Sequence, residues 1–308
     1  MTTAPDIEQA LARFADNVAQ PRRSPVLHQP SEAGLEYENV SFPATDGVPL
    51  EGWFIPAPGA TRLIIANHPL GFSRSGFPTH LEPWRSVWAP TGNDFELNFV
   101  PDYKILHDAG YAVLAYDLRN HGLSAAANGG VVTSGFFEAR DVVGALNWAR
   151  ERPETGDMAI GLFSRCFGAA STFAAMAQFP RAFDGVGALV AAQPITPRVV
   201  TPRWLAYAGL GEHYDRLEEL VVQRVGAGLG LADRTPTAWA GSVRVPTFLY
   251  GVRDDLLTVP ADLEGMYDAI PIAEKKLQWI ENTPLRWDGY AEFQRRPEPM
   301  LAWFDTHL

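Results

Sequence analysis

The chain has 308 residues, of which 46% are hydrophobic and 20% are charged, as expected for a globular protein that buries a large core. Its 25 Lys and Arg against 36 Asp and Glu give a net charge of −11, so nucleic acid and anionic membranes are unfavourable partners. The single cysteine, Cys166, excludes an intramolecular disulfide framework and a cysteine-rich metal site.

The N-terminal segment, residues 1–34, predicts one helix followed by a proline-rich connector. Ile7, Ala10, Leu11 and Phe14 have the spacing of one helix face. The segment lacks the apolar core of a signal peptide, and no apolar stretch of the chain is long enough to span a bilayer. We therefore expect a cytoplasmic protein without a membrane partner.

Residues 35–308 show the pattern of one α/β domain. Alternation of apolar and polar residues between Leu35 and Ile65 predicts an opening antiparallel pair of strands. Short apolar strands then alternate with helical segments, which predicts a mostly parallel sheet flanked by helices. The later strands are predicted at 63–67, 112–116, 158–163, 186–191, 247–250 and 276–280. The helices between and after them are predicted at 101–109, 136–152, 167–179, 261–270 and 297–306.

Two stretches are too long to be simple connections. Residues 70–100 follow the strand at 63–67 and contain Trp84 and Trp88. Residues 194–242 separate two late strands and include an amphipathic helical pattern, so we expect them to form a helical cap over the carboxyl end of the sheet. Excursions of this length inside a compact domain are usually functional.

Cys166 stands in GLFSRCFGAAS, directly after an apolar strand and directly before a helical run. Its neighbours two positions away, Ser164 and Gly168, are both small, as a sharp turn that presents a nucleophile requires. The same frame centred on Ser164 would be flanked by Leu162 and Cys166, which fits less well. The motif therefore favours sulfur as the nucleophile over the nearby hydroxyl, although cysteine is also a common filler of buried space.

The sequence here resembles the α/β-hydrolase superfamily, in the G-x-C-x-G variant of dienelactone hydrolases and some acyl-transferring relatives. The match is S-R-C-F-G, with Ser164 in place of the first glycine. NHPLG at 67–71 resembles the loop that supplies an oxyanion-hole amide, and YDLRNHGLS at 116–124 resembles the fourth-strand motif. GVRDDLLTVP at 251–260 resembles the acid loop. The resemblance covers roughly residues 36–308 and implies an α/β-hydrolase-like fold.

The resemblance implies that Asp254 is the acidic member of a catalytic triad. It also implies an oxyanion hole formed by the amide of Phe167 with an amide near Leu70 or Gly71. From the residues alone, Arg165 and the start of the following helix are expected to favour the reactive thiolate of Cys166.

The catalytic histidine of the family is missing from its usual place. The segment after the last strand, IENTPLRWDGY at 280–290, has Arg286 there, and a guanidinium cannot act as a base. His68 and His121 end the third and fourth strands of the predicted sheet, so either could exchange a proton with Cys166. Each could equally support the neighbouring turns. Arg286 is a second possible charge partner for the thiolate.

We therefore predict an enzyme that acts through Cys166 on an ester, lactone or thioester. The substrate is expected to be a small acyl compound, with an apolar or aromatic character suggested by the tryptophans. An acyltransferase or lyase on the same fold, and a ligand-binding protein that has lost catalysis, remain alternatives. We expect no cofactor and no metal ion, because H-x-x-x-H and H-E-x-x-H spacings are absent. The oligomeric state is not indicated.

Overall fold

The structure, a computed structural model, describes residues 4–226 and 229–308. Residues 1–3 of the predicted N-terminal segment and residues 227–228 of the predicted cap lie outside the described residues. An eight-stranded sheet forms the centre of the molecule, and its strands follow the order β1-β2-β6-β3-β7-β8-β9-β10. Antiparallel pairing joins β1 to β2 and β2 to β6, and all later neighbours pair in parallel.

The central strands are short apolar runs that are buried on both faces, as a parallel sheet covered by helices requires. The eight strands of this sheet are β1 Glu38–Pro43, β2 Pro49–Ile55, β3 Arg62–Asn67, β6 Ala112–Tyr116, β7 Ala159–Arg165, β8 Val186–Ala192, β9 Thr247–Val252 and β10 Lys275–Ile280. A separate two-residue pair consists of β4 Gly76–Phe77 and β5 Leu97–Asn98.

Helices cover the two faces of the sheet and build the structure above its carboxyl edge. In chain order they are α1 Ala4–Ala19, α2 Trp84–Trp88, α3 Val100–Asp108, α4 Ala139–Glu151, α5 Phe167–Gln178, α6 Pro197–Tyr207, α7 Tyr214–Val225, α8 Pro236–Ala240, α9 Pro260–Ala269, α10 Arg286–Arg295 and α11 Glu298–His307. Among the described residues, no helix has the length and apolar character needed to cross a membrane.

The mostly parallel sheet and the flanking helices confirm the predicted fold class. The predicted later strands and helices agree with the observed elements to within three residues at each end. The largest omission is α10, because no helix is predicted in the segment that follows the last strand. The predicted insertion at 70–100 contains β4, α2 and β5, and the predicted cap at 194–242 contains α6, α7 and α8.

The N-terminal helix α1 packs against the cap helix α7 rather than against the sheet. Leu11 and Ala15 of α1 are buried in a small second core, whose other buried members are Leu205, Leu217, Leu220, Val221 and Leu231. At the surface Glu8 binds Arg216 and Asp16 binds Arg224, with 208 residues between the partners in each pair. The cover above the sheet therefore combines the first helix of the chain with helices from its last third.

Close contact between α5 and β3 sets the position of the turn that contains Cys166. A Cβ atom added to Gly168 would lie 2.7 Å from the carbonyl carbon and the Cβ of Asn67, so only glycine fits there. The amide of Gly168 donates to the carbonyl oxygen of His68 at 3.1 Å. The first turn of α5 is thereby held against the end of β3.

We expect Gly168→Ala to destabilise the protein by about 1–3 kcal/mol, because the backbone of Asn67 cannot move away cheaply. The matched control is Gly265→Ala in α9, where the added Cβ meets only the Thr237 methyl group at 3.8 Å. That control should be neutral or stabilising, since alanine is the better helix former. Urea unfolding measures both free energies, and equal effects of the two substitutions would contradict the close approach.

Candidate active site

Cys166 occupies the sharp turn between β7 and α5. Its backbone has φ 48° and ψ −107°, a conformation that a non-glycine residue adopts only under strain. The turn is held by a hydrogen bond from the Cys166 amide to the carbonyl oxygen of Ala192, at 2.8 Å. This is the geometry of a strand-nucleophile-helix turn, and it lifts the side chain above the carboxyl edge of the sheet.

Ser164, which replaces the first glycine of the motif, is fully buried beneath the turn. Its hydroxyl accepts a hydrogen bond from the Asn67 amide nitrogen at 2.9 Å and lies 2.8 Å from the hydroxyl of Thr172. A small polar side chain is therefore accommodated where the related motif has no side chain. Ser164 joins β3, β7 and α5, and its hydroxyl is engaged away from the space above Cys166.

A cavity of about 610 Å³ lies over Cys166 and is called here the Cys166 cavity. Phe167, Leu70 and Gly71 all line it, as predicted for the oxyanion loop and the start of α5. The amide of Phe167 is the first of α5, and the first amides of a helix have no partner within the helix. Most of the remaining lining is apolar, with contributions from Phe14, Val18, Phe77, Trp84, Trp88, Val200, Trp204, Leu231, Leu257 and Trp287.

Arg286 is buried at the first position of α10 and fixes several parts of the site. Its three nitrogens donate to the Asp255 carboxylate at 2.5 Å, the Gln193 carbonyl oxygen at 2.8 Å and the Tyr290 hydroxyl at 3.1 Å. Although burial opposes its charge, the groups around it, Cys166 among them, raise the pKa of Arg286 well above its ordinary value. Arg286 is thus a permanent cation beside the sulfur, with every nitrogen engaged.

Tyr290, one helical turn after Arg286, brings a hydroxyl to Cys166. The ring is 1% exposed, and Tyr290 and Cys166 line the same cavity and interact electrostatically. Burial and the neighbouring sulfur raise the pKa of Tyr290 well above its ordinary value, so the phenol stays protonated. Because the Tyr290 oxygen accepts from Arg286, its own hydrogen is available for donation to the sulfur. Sequence reasoning missed this residue, although the (i, i+4) spacing from Arg286 would reveal it once a helix is assigned.

The acid loop buries Asp255 rather than Asp254, the residue expected from the sequence. Asp254, the predicted acidic residue of the triad, is exposed, whereas Asp255 is 5% exposed and binds Arg286. Asp255 also accepts the Leu257 amide at 2.9 Å, which closes the loop around it. The inward-pointing carboxylate is the one that pairs with the buried guanidinium of Arg286, which stands where a histidine is expected.

The two histidines proposed as the base lie outside the lining of the Cys166 cavity. The Nε2 atom of His68 accepts the Leu118 amide at 2.9 Å, so the hydrogen is on Nδ1, which donates to the Pro69 carbonyl oxygen at 2.7 Å. His121 donates from Nδ1 to the Arg119 carbonyl oxygen at 2.8 Å, and its ring lies against Phe167. Burial lowers the pKa of His68 to about 4 and that of His121 to about 3. Both are neutral and support turns.

Arg165 points away from the sulfur. Its guanidinium forms a buried ion pair with Asp102 of α3 and lies over the rings of Phe163 and Phe99. The expectation that Arg165 is a charge partner of Cys166 is therefore not met, because side chains alternate between the two faces of a strand. Arg286 provides the positive charge near the sulfur instead.

Among the described residues, no group of three or more His, Cys, Asp or Glu side chains is arranged to hold a metal ion. No protein-family model matches the chain, and no curated protein matches it significantly. Solved structures do match over most of the length. The esterase from Pyrococcus furiosus is 21% identical, with a TM-score of 0.67, and the alignment covers 92% of this chain and 97% of that one.

Two further solved structures have the same fold. A dienelactone hydrolase from Anabaena variabilis is 19% identical with a TM-score of 0.56, and 89% of this chain and 99% of that chain are covered. An α/β hydrolase from a Penicillium species is 18% identical with a TM-score of 0.60, at the same coverages. The fold of this chain is thus that of the α/β hydrolases, and identities this low establish the fold alone.

Removing one partner of the buried Arg286–Asp255 pair should be costly. We expect Arg286→Met to destabilise the protein by about 3–5 kcal/mol, because the Asp255 carboxylate would be left buried and unpaired. In a double-mutant cycle with Asp255→Asn, the combined loss should be well below the sum of the single losses. Chemical unfolding measures each free energy.

The neighbouring exposed pair supplies the control for this cycle. Arg253 binds Glu281 at 2.8 Å with both side chains more than a third exposed, so Arg253→Met should cost at most about 1 kcal/mol. Additive losses for Arg286→Met and Asp255→Asn would show that the buried pair is not energetically coupled.

The contribution of His68 and His121 to stability should fall on acidification below about pH 6.5. The unfolded chain binds protons on histidine there, whereas folded His68 and His121 stay neutral down to pH values near 4 and 3. Proton binding therefore stabilises the unfolded state, and each histidine lowers the free energy of unfolding by roughly 1.4 kcal/mol per unit of pKa difference as the pH falls through this window. His121→Asn, which keeps a donor for the Arg119 carbonyl, should make the fall shallower in urea titrations at pH 7, 6 and 5. Identical slopes in the wild type and in His121→Asn would refute this account.

Proposed function

We propose that the protein is an acyl-transferring hydrolase in which Cys166 attacks an activated ester, lactone or thioester. The observation that carries the proposal is the strained turn of Cys166, which presents the sulfur to the Cys166 cavity beside the first amide of α5. Strain of this kind persists where the surroundings enforce it, and it is concentrated at functional sites. The names of the structural neighbours, an esterase and a dienelactone hydrolase, agree with ester chemistry.

In the proposed reaction the Cys166 thiolate attacks the carbonyl carbon and forms a carbon–sulfur bond. The carbonyl π electrons move onto the oxygen, and the amides of Phe167 and of Leu70 or Gly71 bind the resulting oxyanion. Collapse of this intermediate breaks the bond to the leaving group, which departs with its electron pair. Water then attacks the acyl-cysteine, releases the carboxylic acid and returns the thiol.

Arg286 and Tyr290 stabilise the sulfur in this scheme and do not remove its proton. In this scheme the guanidinium acts as a cation near the sulfur, and the phenol donates a hydrogen bond to the thiolate. A thiol supplies some thiolate near neutral pH without a base, which a serine hydroxyl does not. Without a histidine to protonate the leaving group, the favoured substrates are those whose leaving groups need no proton, such as thioesters, aryl esters and enol lactones.

A ligand-binding protein without turnover is the second candidate, and a specific observation favours it. In the part of the chain that the structure describes, no histidine lines the Cys166 cavity. On this reading Cys166 fills the turn and the cavity holds a small molecule. Acyl transfer to an acceptor other than water is a variant of the first candidate and shares its covalent intermediate.

The test uses p-nitrophenyl butyrate as an activated ester. The wild type should release p-nitrophenol, and acid-quenched samples should show a mass increase of one butyryl group on Cys166. Cys166→Ala should abolish both signals, whereas Ser164→Ala should still form the adduct because that hydroxyl lies beneath the turn. Tyr290→Phe should slow the release by about 10- to 100-fold, the value of one hydrogen bond to a charged group.

Each outcome separates the candidates. Full activity in Cys166→Ala would refute the cysteine mechanism. Absence of both adduct and turnover in a folded wild type would favour the binding protein. Addition of a thiol or amine acceptor distinguishes acyl transfer from hydrolysis, since the acceptor then appears in the product.

A further inference from the structure

The charge on the wall of the Cys166 cavity is opposite in sign to the charge of the chain. The whole chain has a net charge of −11, yet the described lining contains no Asp, Glu or Lys side chain. Its charged members are two arginines, Arg22 and Arg286. A cavity with low-dielectric walls focuses the field of such charges, so the lining favours a ligand that is negatively charged over one that is positive.

Only one of the two arginines is available to a ligand. Arg286 is paired with Asp255 and has all three nitrogens engaged within the protein. Arg22 is exposed at the mouth of the cavity, and within the described residues it makes no hydrogen bond and no ion pair. A guanidinium in this state can form a paired hydrogen bond with a carboxylate or a phosphate.

The backbone around Arg22 is fixed on both sides. Just before it, the Ala19 carbonyl oxygen accepts the Val132 amide at 2.8 Å, and the Gln20 side chain donates to the Gly129 carbonyl oxygen at 2.7 Å. Just after it, Arg23 donates to the Ser124 carbonyl oxygen at 2.7 Å. Arg22 therefore projects at the mouth of the cavity from a segment of backbone that hydrogen bonds hold in place.

In the same cavity, tryptophans from three separate parts of the chain form an apolar wall. Trp88 of the insertion lies 4.2 Å from Trp204 of the cap and 4.3 Å from Trp287 of α10, measured between ring centroids. All three line the cavity together with Phe77 and Trp84. Their rings offer a large apolar area to a ligand.

We propose that the Cys166 cavity takes an anionic amphiphile, with its apolar body on the tryptophan wall and its negative group at Arg22. This names a substrate class and so rests on the proposed function, in which the scissile carbonyl lies at Cys166 within the same cavity. Esters or thioesters of apolar acids that carry one further negative group are the compounds that fit. A cationic amphiphile is disfavoured by the exposed guanidinium of Arg22.

The test measures binding rather than turnover, with decanoate and decanol as matched probes followed by tryptophan fluorescence at pH 8. The wild type should bind decanoate more tightly than decanol. Added salt should weaken the binding of decanoate and leave the binding of decanol unchanged. Arg22→Gln should lower the affinity for decanoate by about three- to fivefold, within the range of an exposed ion pair, and leave the affinity for decanol unchanged. Arg22→Lys should retain most of the preference.

The control is Arg13→Gln, the same change of charge on the exposed face of α1 and outside the cavity lining. Equal effects of Arg13→Gln and Arg22→Gln, equal affinities for the two probes, or no binding of either probe would overturn the proposal. Repeating the titration with Cys166→Ala separates the two proposals. If the cysteine mechanism is wrong, the preference for decanoate over decanol is still observed. If the preference is absent, formation of the acyl-cysteine adduct is still observed.

Discussion

The buried contact between Arg286 and Asp255 is the constraint around which the rest of the site is arranged. The guanidinium joins the acid loop after β9, the end of β8 at Gln193 and the start of α10. It also orients Tyr290, whose hydroxyl reaches the sulfur of Cys166. An ion pair taken out of water costs free energy unless every donor is satisfied, and here every nitrogen has an acceptor. The site is therefore built on a fixed charge rather than on a titratable ring.

This arrangement changes what kind of catalyst the fold can be. A histidine moves protons between nucleophile and leaving group, whereas an arginine holds charge and does not release a proton. In the proposed mechanism the strained turn, the oxyanion amides and the cavity keep their roles, and the sulfur compensates for the missing base because it ionises more readily than a hydroxyl. Chemistry in such a site depends on how well the leaving group departs unaided.

The sequence predicts the fold well because the signals are local. Local residue patterns are enough to predict a buried strand at Ala112–Tyr116 and a sharp turn at Cys166. The structure contains both. The site is harder to predict from the sequence, because packing between distant segments decides which side chains face the sulfur. Neighbouring Asp254 and Asp255 look alike in sequence, and the orientation of the loop alone decides which is buried. Likewise Arg165 is adjacent to Cys166 in sequence but points to the other side of its strand.

The pairing of α1 with α7 has a consequence for synthesis of the chain. Glu8 and Arg216 are 208 residues apart, so at about 5–20 residues per second the first helix waits roughly 10–40 seconds for its partner to leave the ribosome. During that interval Leu11 and Ala15, which the finished protein buries, face water or a chaperone. Helix α1 is thus made well before its partner α7 and docks late. A nascent chain stalled before α7 would display the apolar face of α1 to solvent.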